Sequence, residues 1–317
     1  MPDRSQLHVD QPLTNLAIAY SPKEFTMIAD KVVPIIPVPK KSDLYYVYQQ
    51  KDRFTLPETI RGPKGEANEV DWNTSTEEYT CISHALKDLI TDEDMDEADQ
   101  PLNLYNDTTE FLTDLLLLKR EQEIASTLTT AGNYGASYRT TLTGTDQWSD
   151  ASSDPIAAID DAKNALFYPA NTLILGKEVY DKLRRHPQLL DHVKGGATSR
   201  DAAQIGLEQM KAIFEVENVL VGNAKYNTAN MAKTASYSYV WGKYAILAYV
   251  NPAPKAKTVT WRKMLSLNSK GSVQGYKVRR YREDKKGGGG TWIEVEMCYV
   301  NKEVCADLGY LISDAIA

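Results

Sequence analysis

The chain has little that could carry chemistry. Its 317 residues include three cysteines, Cys81, Cys298 and Cys305, and four histidines, His8, His84, His186 and His192. No C-x-x-C occurs, and an odd number of separated thiols fits a reducing compartment better than a disulfide framework. H-E-x-x-H and G-x-S-x-G are both absent, which removes the usual zinc-hydrolase and nucleophile-elbow readings. The glycine run at 287–290 follows Lys285 and Lys286 and precedes Thr291, whereas a phosphate-binding loop places its lysine after the glycines. Asp92, Asp94 and Asp96 imitate the opening of a calcium loop, but Glu97 and Asn103 stand where that loop needs glycine and glutamate. No catalytic, cofactor-binding or metal residue is assigned, and the chain is not read as an enzyme.

Two further absences limit the partners. Lys and Arg number 36 against 43 Asp and Glu, a net charge of -7, so the basic excess of a dedicated nucleic-acid binder is missing. The longest strongly apolar block, 115–118, runs at once into Lys119 and Arg120. A transmembrane helix needs about 18 apolar residues or more. The opening MPDRSQLHVDQPL has no apolar core of a signal peptide, so cytosolic folding is expected.

What is present has a definite order. The first twenty residues are polar and aperiodic and read as an arm, and Ser21-Pro22-Lys23-Glu24 then signals a helix start. Pro34, Pro37 and Pro39 suit an extended, docked segment. LYYVY at 44–48 reads as strand. The next thirty or so residues, QQKDRFTLPETIRGPKGEANEVDWNTSTEEYT, hold few large apolar side chains around a Gly-Pro-Lys-Gly turn. A two-stranded hairpin of this composition is marginal by itself, so it must lean on something else. Its limb from Lys40 to Lys64 is net basic, and the stretch from Glu66 to Asp99 is strongly acidic.

Asp107-Thr108-Thr109-Glu110 opens a long helix, expected over 107–130 and roughly 35 Å in length. Its interior stripe is expected at Phe111, Leu115, Leu118 and Ala125, with Leu117, Ile124 and Leu128 beside it. From Asp154-Pro155 onward short helices mix with short strands, expected at 172–175, 219–221, 237–241, 245–250 and 258–261. The basic cluster Lys277, Arg279, Arg280, Arg282, Lys285 and Lys286 reads as one charged strand face, solvated or partner-facing. Alternation at Ile293, Val295, Met297 and Tyr299 marks a late strand, and 306–316 is expected as a short helix or turn.

Three segments also carry a resemblance: FTMIADKVVPIIPVPKKSDLYYVY at 25–48, NTLILGKEVYDKLRRHPQLLDHVK at 171–194 and EVEMCYVNKEVCADLGYLISDAI at 294–316. In this order, and with the elements between them, they resemble the major capsid proteins of tailed phages with the Hong Kong 97-type fold. The resemblance implies an α+β chain with an N-terminal arm over 1–44, an E-loop hairpin over 45–80, a P-domain with a spine helix over 81–153, a compact A-domain over 154–290, and a C-terminal P-domain strand and tail over 291–317. It implies a structural protein that assembles with itself, as hexamers and pentamers of a closed icosahedral shell around the phage genome. A separate scaffold protein (or prior loss of a scaffold segment), a portal, and non-specific contact with packaged double-stranded DNA go with that reading. So does a place in the virion after assembly in the host cytoplasm, with no cofactor and no membrane.

The inter-subunit contacts are then expected at Arg53, Phe54, Leu56, Ile60, Arg61, Lys64 and Trp72. An encapsulin-type nanocompartment, which shares the fold and encloses protein cargo, is the alternative. Lys64 and Asn301 supply the residue types of the lysine–asparagine bond that some relatives form, although both types are common by chance.

Overall fold

The structure is a computed structural model that describes residues 27–47, 56–62, 65–70, 75–97, 103–194, 204–229, 233–251, 253–255, 258–268, 275–285 and 289–317. In chain order these form α1 (Ala29–Val32), β1 (Ile35–Val38), β2 (Ser42–Val47), β3 (Ser75–Thr80), β4 (Ile82–Thr91), α2 (Asp92–Glu97), α3 (Leu104–Thr129) and β5 (Arg139–Thr141). Then come α4 (Pro155–Ala165), β6 (Thr172–Gly176), α5 (Lys177–Leu183), α6 (Pro187–Lys194), α7 (Leu207–Ile213), β7 (Asn218–Gly222), β8 (Lys225–Asn227) and β9 (Tyr237–Tyr239). The chain finishes with β10 (Ala245–Ala248), β11 (Arg262–Leu267), β12 (Tyr276–Glu283), β13 (Gly290–Glu303) and β14 (Gly309–Ser313).

Two sheets organise the molecule. In the first, β13 carries β4 along one edge, and β12 and then β11 along the other, with β1 beyond β11. Alternation in β13 sends Ile293, Val295, Met297 and Tyr299 to one face, where they meet α3 in a common core. Trp292, Glu294 and Glu296 go to the other face and remain partly exposed. The second sheet runs β5-β14-β10-β6-β7. Both of its faces are covered: Ile174, Ile246 and Leu311 enter the core under α3, while Leu173, Leu175, Leu247 and Ile312 enter the core built with α4 to α7. Burial on both faces explains why β6 and β10 read as uninterrupted apolar runs.

Several expectations are corrected here. The segment 306–316 is not a helix; after a short 3-10 turn it forms β14, fully buried between β5 and β10. A short run apolar on every side has no periodicity to separate strand from helix. The strand expected at 258–261 begins instead at Arg262, because Trp261 turns into the core where Gly309 leaves room for its ring. β4 was not anticipated, although Ile82, His84, Leu86 and Ile90 alternate along it. β11 and β12, within 154–290, hydrogen-bond to β13, and β14, within 291–317, belongs to the second sheet.

The long helix is present but differs at both its start and its face. α3 has 26 residues, about 39 Å. It begins at Leu104, with the Asn103 side chain accepting the Asn106 N–H at 3.3 Å, so Asp107 lies inside the first turn and is not the cap. Leu117, Ile124, Ala125 and Leu128 are buried as expected, but Phe111 and Leu115 are 58% and 40% exposed. The interior positions of the first half are Thr109, Leu112, Thr113 and Leu116. An apolar stripe passes over threonine, yet Thr113 is buried and hides its hydroxyl by donating to the Thr109 carbonyl at 2.6 Å. Leu116→Ala is therefore expected to cost about 2–5 kcal/mol in denaturant unfolding of the dispersed subunit. Leu115→Ala should stay within about 0.5 kcal/mol, and equal losses would return Leu115 to the interior.

α3 also anchors the start of the described chain. Glu121, 1% exposed, accepts the Ile28 and Ala29 N–H groups at 3.0 and 2.8 Å and the Trp241 indole N–H at 2.6 Å. Burial raises the pKa of its carboxyl, opposed by those three donors. Beside it Arg120 pairs with Asp30 at 2.6 Å and reaches the Tyr276 hydroxyl at 3.4 Å.

Candidate inter-subunit surface

The hairpin expected to project from the subunit has a well-built base. β2 and β3 pair antiparallel from Ser42 opposite Thr80 to Val47 opposite Ser75. Tyr79 is buried with Ile36, Cys81, Leu265 and Cys298, and its hydroxyl donates to the Lys40 carbonyl at 3.2 Å. Tyr45 donates to Glu77 at 2.7 Å and to the Glu303 carbonyl at 3.2 Å, which ties the base to β13. Burial, with Glu77 beside it, holds the Tyr45 phenol protonated far above neutral pH.

Beyond the base no ladder joins the two limbs among the described residues. Leu56 is 93% exposed, Ile60 82% and Val70 61%, and Arg61 is exposed as well. Among the described residues the hydrogen bonds of the tip are local: Ile60 N–H to Glu58 at 3.1 Å, Asn68 to the Glu58 carbonyl at 2.6 Å, and Gly65 N–H to the Gly62 carbonyl at 3.0 Å. Leu56, Ile60 and Val70 thus have no partner surface among the described residues. Arg53, Phe54, Lys64 and Trp72, the other contact candidates, lie outside the described residues. Asn301 sits in β13 with its amide buried and unpaired.

The other candidate features resolve into structure. Arg279 binds Glu294 at 2.8 Å and Glu296 at 2.5 Å across the β12–β13 ladder. Arg282 grips Asp92 at 2.8 and 2.6 Å, and Arg280 stacks on Tyr105. Two arginines of the basic cluster, Arg279 and Arg282, are therefore neutralised by their own subunit. Sequence reading missed these acids because Asp92 lies 190 positions from Arg282. Asp94, in the calcium-like run, accepts from the Thr91 hydroxyl at 2.5 Å and its N–H at 3.1 Å, which lowers its pKa. No group of three or more His, Cys, Asp or Glu placed to hold a metal occurs among the described residues. The three cysteines are free and buried, and burial pushes the Cys81 thiol up to about 11. No described helix is long and apolar enough to cross a membrane.

An anchored base carrying an uncovered apolar tip is the geometry of a part that acts on another molecule, and comparison with known proteins agrees. Residues 122–297 match the family described as phage major capsid protein E. The chain is 34% identical over 241 residues to the major capsid protein of Pseudomonas phage JBD67, covering 76% of this chain and 77% of that one. The chain belongs to the phage major capsid protein E family. It is a structural capsid protein and a virion component, not an enzyme. A phage-related protein from Bordetella bronchiseptica RB50 shares its fold at TM-score 0.75 and 24% identity, covering 98% of each chain. The holo-SrpI encapsulin of Synechococcus elongatus PCC 7942 has a TM-score of 0.53 at 12% identity, covering 97% of this chain and 96% of that one. Such a likeness is one of fold alone, and the Hong Kong 97-type architecture accommodates both.

Proposed function

We propose that this capsid protein closes its shell as hexamers and pentamers by laying the segment around Leu56 and Ile60 on a neighbouring subunit. The observation that carries this is the exposure of those two side chains, 93% and 82%, above a base fixed to β13. Burying each on a neighbour contributes about 1.5–3 kcal/mol, repeated at every subunit of a closed surface. Arg61, with Arg53, Phe54, Lys64 and Trp72, belongs to the same contact, its basic charge meeting acidic surface on the neighbour and setting partner choice and register. In this reading 45–80 is the E-loop, α3 with the first sheet the P-domain, and the second sheet with α4 to α7 the A-domain.

A separate scaffold protein and a portal take part in assembly in the host cytoplasm, and packaged double-stranded DNA touches the shell without sequence preference. The neutralised arginines of β12 and the net charge of -7 support that last point. Sedimentation velocity and electron microscopy of the purified chain, with and without a co-expressed scaffold, test the proposal. Closed particles with five- and six-fold capsomers are expected. A species that stays monomeric at every concentration in both preparations refutes it. Nucleic acid inside particles made during infection, in place of a protein cargo, separates the genome container from the encapsulin alternative.

A further inference from the structure

α3 is apolar on two faces. Leu112, Leu116, Leu117, Ile124, Ala125 and Leu128 enter the subunit core. Phe111, Leu115 and Leu118 face away from it: Phe111 is 58% exposed, Leu115 40%, and Leu118 half-buried. These three stand at i, i+4 and i+7, the spacing of a coiled-coil seam. A helix apolar all round is normally a buried helix, yet among the described residues this second stripe is left partly open. The spacing selects a helical occupant, since a helix lays its own seam along such a row.

Charge selects which helix. Asp107 and Glu110 accompany the stripe, and from Leu104 to Leu118 there is no Lys or Arg. Lys119, at the far end, is already engaged by Glu123 at 3.7 Å and Gln122 at 3.2 Å. The acidic α2 lies at the same end of the sheet, because Arg282 holds Asp92 while Arg280, two residues earlier on β12, stacks on Tyr105 of α3. A second copy of α3 would bring the same two acids with one lysine in reply, so like charges would outnumber opposite ones.

We propose that the Phe111–Leu115–Leu118 stripe docks a basic amphipathic helix belonging to a separate protein chain. The inference rests on the reading that a second protein assists assembly, and it specifies the chemistry of the contact. The probe is a synthetic helical peptide with leucine at heptad positions a and d and lysine at e and g, paired with a counterpart carrying glutamate in place of lysine. Fluorescence anisotropy against the dispersed full-length chain should show the lysine peptide binding at least ~10-fold more tightly than the glutamate peptide, and less tightly as salt rises. Leu115→Lys, a surface change that leaves the melt intact, should weaken binding ~10-fold or more, a loss of about 1.4 kcal/mol. Asp107→Lys combined with Glu110→Lys should reverse the preference between the peptides.

Failure of both peptides to bind overturns the proposal. So does binding that appears only after residues 1–26 are removed, which would make the chain's own arm the occupant. Loss of self-association in Leu115→Lys with unchanged peptide binding also overturns it, in favour of a second copy. Electron microscopy of the unsubstituted chain keeps the two readings apart: particles that form from a chain that binds neither peptide leave the shell function standing and remove only the helix-docking site.

Discussion

Replacing residues 52–70 with a short Gly-Ser linker leaves a soluble subunit that melts cooperatively near the native temperature and forms no stable shells. The expectation follows from where the segment's contacts are. Its described apolar side chains Leu56, Ile60 and Val70 are all more than half exposed, and the hydrogen bonds among its described residues stay within the segment. The folded subunit therefore loses almost no buried surface when they go. The base survives because Tyr45, Tyr79 and Cys81 hold it to Glu303, Lys40 and the cluster around Leu265. Assembly, by contrast, loses about 1.5–3 kcal/mol per buried side chain at every copy of the contact, and closed symmetric shells repeat one interface many times. Thermal unfolding and electron microscopy on one preparation decide the matter. An unfolded deletion variant would place the hairpin in the subunit core, and normal shells would make it an idle loop.

Glu121→Ala is expected to be the most damaging single substitution described here, costing about 3–5 kcal/mol, as the loss of one partner from a buried charged network does. The carboxylate satisfies two backbone N–H groups at the entry to α1 and the indole N–H of Trp241, all within 2.6–3.0 Å. Removing it strands three buried donors, and each unsatisfied group costs about 1–3 kcal/mol, with sums that are not additive. Three parts of the chain then loosen together: the segment carrying Asp30, the spine helix, and the loop bearing Trp241. Glu121→Gln keeps the shape and one acceptor, and should recover about half of the loss. Denaturant unfolding followed by tryptophan fluorescence measures both variants. An alanine variant as stable as the parent would mean that water replaces the carboxylate at no cost.

Much of the architecture follows from local chemistry. The cap-and-proline start at Asp154-Pro155 forms α4, with Asp154 accepting the Ala157 N–H at 3.0 Å. The alternation from Ile293 to Tyr299 forms β13, and in the apolar-poor stretch after Val47 the described side chains Leu56, Ile60 and Val70 are exposed. Composition alone excluded a basic nucleic-acid binder and a membrane-spanning helix, because both need quantities of charge or apolar length that no fold can supply. The order of elements was also legible, and with it the family.

Tertiary structure decided what depends on residues distant in sequence. Leu115 and Leu116 are chemically identical neighbours, and only the position of the first sheet makes one of them core and the other surface. Periodicity marks a face of a helix but not which face meets the protein when both are apolar. The β14 strand was hidden for the related reason that a segment buried on all sides has no polar side to mark its period. The arginines of β12 read as a positive surface until Asp92, Glu294 and Glu296 were brought against them. Pairing across such separations is settled by the fold, because a charge is neutralised by what lies within a few ångströms and not by what is adjacent in the chain.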